Sequence, residues 1–251
     1  MSKKAIVLCC AVLAASGGSA ADIETTRVES SHPPTCSPRH LEPGAIDALR
    51  RESEQWRRDL GYFRQDEKTV YDGYSDVALQ QLAGQGDLLA YSVMYDRMID
   101  AGGYSDRSRL KALLTDWAAA GSTRALMALA KVEFFAALES GSDHGVTNDV
   151  LAIYDVALKR GDVRAVMYMD QKASLRKRAL TLSDVEDVRA KSEQLYARLK
   201  ARRRELGMGG FVNAKPESLE LLYAKSIAHA VSAPGLGELV GSHVKVPPCP
   251  S

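Results

Sequence analysis

Three stretches decide how this chain folds: Leu82-Ala83-Gly84-Gln85-Gly86-Asp87-Leu88-Leu89-Ala90, Trp117-Ala118-Ala119-Ala120-Gly121-Ser122-Thr123-Arg124-Ala125 and Ala157-Leu158-Lys159-Arg160-Gly161-Asp162-Val163-Arg164-Ala165. Set one above another, they superimpose Gly86, Gly121 and Gly161, which fall 35 and 40 residues apart. Each glycine ends a run of helically spaced apolar residues, where a left-handed backbone is free of Cβ strain. Asp87, Ser122 and Asp162 follow at once and are placed to N-cap a second helix. Four residues past each glycine stands Ala90, Ala125 or Ala165, small enough to let two helix backbones approach. Eight residues past come Met94, Leu129 and Met169, which share that face at helical spacing. Each stretch is therefore predicted to be the turn of a helix–turn–helix unit.

The pattern resembles the Sel1-like subfamily of tetratricopeptide-type repeats over about residues 73–180: paired alanines, a turn glycine and an alanine four residues later. Gly145-Val146-Thr147-Asn148-Asp149 is similar to the Gly-Val-x-x-Asp that opens such a unit. The Leu-Gly-x-x-Tyr-x-x-Gly that usually closes a unit is absent, and Asp149 lies about one helical turn too close to Gly161. The resemblance implies an all-α fold, a short α-solenoid of three stacked units with flanking helices and Pro-rich tails, whose work is to bind another protein. Gly86, Ala90, Gly121, Ala125, Gly161 and Ala165 would be its structural positions. The first helix of each unit would line a concave groove, from residues 75–85, 106–120 and 148–160. Trp117, Tyr154 and Leu110 are the candidate partner-binding residues there, because large aromatics with a polar handle are favoured as interface anchors. The same punctuation also fits ordinary helical hairpins, which leaves the all-helical expectation unchanged.

Outward from the units, an N-terminal helix is expected over Ala45 to Leu60, stopped by Gly61, with a connector to residue 72. Beyond residue 180, Ser183-Asp184-Val185-Glu186 has the form of a capping box opening a long helix to about Glu205. A capping helix runs from about Pro216 to Val231, and from residue 233 Pro and Gly break regular structure. The long helix ends in Arg202, Arg203 and Arg204, a run that suits a helix C-terminus and offers weak contact with an acidic surface. Gly207-Met208-Gly209-Gly210 follows a helix and has no Lys-Ser/Thr after it, so it reads as a helix end and not a phosphate loop.

Residues 1–20 read as a secretory signal. Lys3 and Lys4 precede the apolar run Ala5 to Ala15, and small residues lead to Ser19-Ala20-Ala21. That run is 11 residues long, short of the roughly 20 that a membrane-crossing helix needs, so no permanent span is expected. A lipoprotein reading through Cys9 or Cys10 is opposed by the bulky Leu8. Cleavage near Ala21 or Asp22 leaves a Pro-rich tail to residue 44 and directs the protein to the periplasm or outside the cell. In that oxidising compartment the remaining cysteines, Cys36 and Cys249, are expected to pair and pin the two tails together. Closing so long a loop stabilises by about 5 kcal/mol in the chain-entropy model. An intermolecular bridge or two free thiols are the rival arrangements.

Without Lys3 and Lys4, 31 basic residues face 32 acidic ones. This balance gives no general attraction to nucleic acid or anionic membrane. Aromatics make up only 6% of the chain while Ala and Leu abound, which favours closely packed helices over a sheet sandwich. His32, His40, His144, His229 and His243 are scattered without HExxH or a Cys/His cluster, so no metal is implied. No cofactor motif appears. Ser140-Gly141-Ser142-Asp143-His144 crowds Ser, Asp and His into one loop, where a triad rarely assembles. The expected function is a non-catalytic interaction module of a bacterial envelope, acting as a scaffold, assembly or immunity factor on another envelope or secreted protein. The alternative is a helical peptidoglycan-active enzyme using one glutamate of raised pKa, which sequence cannot reveal.

Overall fold

The computed structural model describes residues 43–141, 146–176, 178–213, 215 and 218–246. The proposed signal, Cys36, Cys249 and the outer parts of both tails lie outside the described residues. Among the described residues every regular element is helical: α1 (Pro43–Asp59), α2 (Gln65–Lys68), α3 (Asp76–Gly84), α4 (Leu88–Asp100), α5 (Arg107–Ala120), α6 (Thr123–Glu139), α7 (Asn148–Lys159), α8 (Ala165–Ser174), α9 (Leu182–Glu205), α10 (Ser218–Ser232) and α11 (Leu236–Val240), with short 3₁₀ turns beside α2 and before α5.

Three hairpins, α3–α4, α5–α6 and α7–α8, sit where the glycine alignment puts them. Gly86, Gly121 and Gly161 have φ of 92°, 133° and 85°. Asp87 accepts from the amides of Leu89 and Ala90 at 2.8 and 3.0 Å, and Ser122 from that of Ala125 at 3.2 Å. The alanines Ala90, Ala125 and Ala165 are wholly buried. Successive hairpins touch through α4 on α5 and α6 on α7.

The third turn departs from this scheme. Instead of capping at once, Asp162 precedes two further turn residues, and α8 begins at Ala165. Its carboxylate is fully buried and accepts from Arg164 Nε and Nη2 at 2.8 and 2.9 Å, Thr123 Oγ1 at 2.7 Å and the Tyr62 hydroxyl at 3.0 Å. The Arg164 guanidinium stacks on the Tyr62 ring at 3.4 Å and faces Trp56 at 4.8 Å. Asp162 thus ties the segment after α1 to α6 and to the third turn. Burial and the neighbouring Asp162 charge push the Tyr62 phenol well above its usual range.

The capping box of the long helix lies two residues earlier than Ser183 suggested. Thr181 is the N-cap and Asp184 the reciprocal N3 residue, because the Asp184 carboxylate accepts from the Thr181 amide at 2.9 Å. Arg178, Arg176 and Asn148 also donate to Asp184. The stripe Val185, Val188, Ser192, Leu195 and Leu199 turns inward. Fully burying its four apolar side chains contributes roughly 6–12 kcal/mol before entropy is counted. This face rests on α7 most extensively and on α5 next.

That placement corrects the expected groove. The first helices of the second and third hairpins pack against the chain's own α9, so much of the groove expected over 106–120 and 148–160 is filled from within, although Asp149, Ala152 and Ile153 still border a cleft beside α9. Polar pins fix α9 there: Ser192 to Asp155 at 2.5 Å, Asn148 to Asp187 at 2.9 Å, Lys191 to Asp149 at 3.2 Å and Arg202 to Asp116 at 2.7 Å.

The segment expected to be an irregular tail from residue 233 instead carries α11. Leu236, Leu239 and Val240, at helical spacing, are buried. Gly235 lets the chain enter at φ 72°, where a Cβ would stand 2.6 Å from the Leu180 carbonyl oxygen. α10 packs on α8 and α11, covering the outer side of the third hairpin. Among the described residues no helix is long and apolar enough to cross a membrane.

Candidate functional site

Trp117 and Leu110 are fully buried, and Tyr154 is only 3% exposed. None of them is exposed in the groove expected over the first helices. Trp117 packs its ring 5.9 Å from that of Tyr95, and its Nε1 finds no acceptor. The two belong to the core, which corrects the expectation that they anchor a partner.

Tyr154 leads to a different site. Its ring lies parallel to that of Tyr168 on α8, centroids 6.1 Å apart, and it floors a cleft of about 290 Å³. One wall is a stripe of α6 at helical spacing, Arg124, Met127, Lys131 and Phe134–Phe135; the other is Tyr168, Gln171 and Lys172 of α8. Both helices pack on α7, and the cleft opens between them. It therefore lies on the second helices of the units, away from the face that α9 covers.

The cleft is aromatic and positively charged. Phe134 and Phe135 meet edge to face at 5.7 Å. Lys172 Nζ stands 3.5 Å over the Phe134 ring, and Lys131 Nζ lies 5.7 Å from the Tyr104 centroid and 5.9 Å from that of Phe135. Such contacts contribute about 0.5–1 kcal/mol each at open sites, more when water is excluded. Arg124, Lys131 and Lys172 form no ion pair among the described residues, and no carboxylate lines the cleft. Partial burial lowers the Lys172 pKa and pushes the Tyr154 phenol up to about 12. Phe135 and Tyr168 remain about two-fifths exposed, beside Leu138 and Met167. A run of exposed apolar side chains rimmed by cations is a common mark of an interaction surface. Sequence reasoning passed over it, although two of the chain's four phenylalanines stand side by side at 134 and 135.

The polar clusters elsewhere have structural geometry. Asp155, buried on α7, takes Ser192 Oγ at 2.5 Å and His243 Nε2 at 2.9 Å. The carboxylate stands between serine and imidazole, so the imidazole is not on the serine and this order does not activate a nucleophile. A cleft of about 610 Å³ between α6, α7 and α9 contains Glu133, which pairs with Lys111 at 2.7 Å. Glu67 is held below the usual carboxylate range by the Arg64 amide and Glu139 by Arg107, the reverse of what an acid catalyst needs. Among the described residues no group of three His, Cys, Asp or Glu could hold a metal ion.

The basic end of α9 divides its work. Arg202 is engaged by Asp116 at 2.7 and 3.1 Å and by Glu205 at 3.0 Å. Arg203 donates to the carbonyls of Ala119 and Ala120 at the end of α5. Of the three arginines, Arg204 alone has no such partner among the described residues.

No protein-family model, no curated protein and no solved structure matches the chain.

Proposed function

We propose that this protein is a non-catalytic protein-binding module of a bacterial envelope, a short stack of three Sel1-like units that takes its partner in the cleft between α6 and α8. The observation that carries the reading is the grouping of Phe134, Phe135 and Tyr168 with three unpaired cations and no lining carboxylate. Charge complementarity defines the partner as a segment that buries an aromatic or aliphatic side chain and sets Asp or Glu beside it. Export by the N-terminal signal, with Cys36 joined to Cys249, belongs to the same reading, and intact mass before and after reduction tests it.

The binding test uses labelled peptides that pair Phe or Leu with flanking Asp, against the same peptides with Lys in place of Asp. Anisotropy should report binding of the acidic set alone, weakened at least tenfold by Tyr168→Ala or Lys172→Gln with an unchanged melt. Equal binding of the Lys set, or undiminished binding by folded Tyr168→Ala, would remove the cleft as the site.

A further inference from the structure

A second positively charged cavity lies at the far end of α9. Lys200, Arg203 and Arg204, at spacing i, i+3 and i+4, share one face of the last turns. With Met208, Gly209, Gly210 and Phe211 they line a space of about 480 Å³, inside the size range of small-molecule sites. No carboxylate lines it. Arg202, which looks the other way, has both acids of this region, Asp116 and Glu205. The amides of Gly209 and Gly210 donate to no acceptor among the described residues, and a Cβ at either position would meet nothing within 4 Å.

The second observation lies behind the cavity wall. Arg160, at the end of α7, is 3% exposed, and its Nε and Nη1 have no hydrogen-bond partner. Only Nη2 is engaged, on the Gly121 carbonyl at 3.2 Å. The Phe211 ring covers the guanidinium, its centroid 3.6 Å from Cζ, and the same ring borders the cavity. A buried cation with two idle donors is costly, and neighbouring positive charge adds to the cost. Burial first, and Arg203 after it, bring the Arg160 pKa down to about 10. Three helix C-termini, of α5, α7 and α9, converge here and supply about half a negative charge each. Four cations face about one and a half units of negative charge, so a surplus of between about two and three remains for a ligand.

We propose that this cavity binds a phosphate-type oxyanion through Lys200, Arg203, Arg204 and the amides of Gly209 and Gly210, with Phe211 as the partition that separates it from Arg160. The loop differs from a phosphate loop in that it follows its helix, so side-chain charge replaces the helix N-terminus as the attractive element. The surface is distinct from the α6–α8 cleft, and neither reading depends on the other.

The probe is inorganic pyrophosphate, titrated calorimetrically into the purified full chain at low salt, where screening is weakest. Binding is expected, weakened roughly tenfold or more by Lys200→Gln or Arg204→Gln, as loss of one charge-assisted hydrogen bond implies. The melts of these exposed variants should not change without ligand. Phe211→Ala opens the way to the idle Arg160 donors and should tighten binding; Phe211→Ala with Arg160→Gln should lose that gain. Co-sedimentation with phosphatidylglycerol and phosphatidylcholine vesicles separates the sources. Pyrophosphate binding alone assigns a soluble phosphate ester, and added capture by phosphatidylglycerol assigns a lipid headgroup. No heat with millimolar pyrophosphate, or the same affinity in the Lys200→Gln, Arg204→Gln double variant, would overturn the site.

Discussion

Asp162→Asn tests the buried network that joins the segment after α1 to the second and third hairpins. In the native protein Oδ1 faces Arg164 Nε and the Arg164 amide, while Oδ2 takes Arg164 Nη2, Thr123 Oγ1 and the Tyr62 hydroxyl. An asparagine that keeps its oxygen at Oδ1 turns an NH₂ group toward three donors. It also leaves the Arg164 guanidinium, 8% exposed as a residue, with no counter-charge. Removing one partner of a buried pair costs about 3–5 kcal/mol. Stacking of Arg164 on Tyr62 returns up to about 2 kcal/mol at most, because that contact exists in both proteins and only its geometry can improve. The net loss is about 1–5 kcal/mol, a sizeable share of a typical domain stability of about 5–15 kcal/mol. The companion variant is Asp162→Asn with Arg164→Met, which removes the stranded charge and keeps an apolar body over the Tyr62 and Trp56 rings. It should be more stable than Asp162→Asn alone, since a buried pair replaced as a unit is often neutral. Urea unfolding followed by circular dichroism gives both values. Additive losses, or a loss under about 1 kcal/mol for Asp162→Asn, would refute the view that Asp162 is the counter-charge of a buried arginine.

Three further substitutions test other parts of the fold. Ala125→Leu should cost about 1–3 kcal/mol, because Ala125 is fully buried at the start of α6 and the three added carbon atoms would overpack the site; Gly121→Val should cost about 1–3 kcal/mol through its φ of 133° alone, since its Cβ would meet only Arg203 Nη1 at an ordinary 3.7 Å, and melts unmoved by both would remove the hairpin alignment. Asp184 is held well below the usual carboxylate range, first by Arg178 and then by Thr181 and Asn148. A lowered folded pKa gives stability that is complete above the unfolded value of about 4 and is lost as pH falls below it. Asp184→Asn should therefore cost about 1–2 kcal/mol at pH 7, discounted because Arg178 is exposed, and the gap to the native protein should narrow by pH 3. An unchanged gap at both pH values would count against the charge as the cause.

What the sequence made legible is what is local. A glycine, a cap and an alanine four residues on are one contiguous signal, and the hairpins at Gly86 and Gly121 follow it. At Gly161 the same local rule assigned Asp162 to a cap. Its actual role depends on Tyr62 and Thr123, 100 and 39 residues away, and no spacing rule reaches that far. The α11 helix was hidden by Pro234 and Gly235, whose punctuation outweighed the short apolar pattern of Leu236, Leu239 and Val240. The α6–α8 cleft had one local sign, the Phe134–Phe135 pair. Its remaining members, Tyr154, Tyr168 and Lys172, come from other helices and are gathered only by packing.

The displacement of the expected groove has one cause. Helical periodicity marks which side of α5 and α7 is apolar, and that side is indeed buried, but periodicity does not say against what. An open stack would leave such a side facing a solvent-filled groove unless a partner stood there. Here α9 supplies the matching stripe from within the chain, and the covering is effectively permanent: a bound peptide would have to displace buried Val188 and Leu199 together with the Asp155–Ser192 and Asp116–Arg202 contacts. On the reading proposed above, recognition then falls to the outer side. There Arg124, Lys131 and Lys172 have no counter-charge among the described residues, while Arg202 and Lys191 on α9 have theirs. A covered inner face and an unpaired outer one are thus two results of the same packing choice, and a partner that binds the outer cleft has no need to unseat α9.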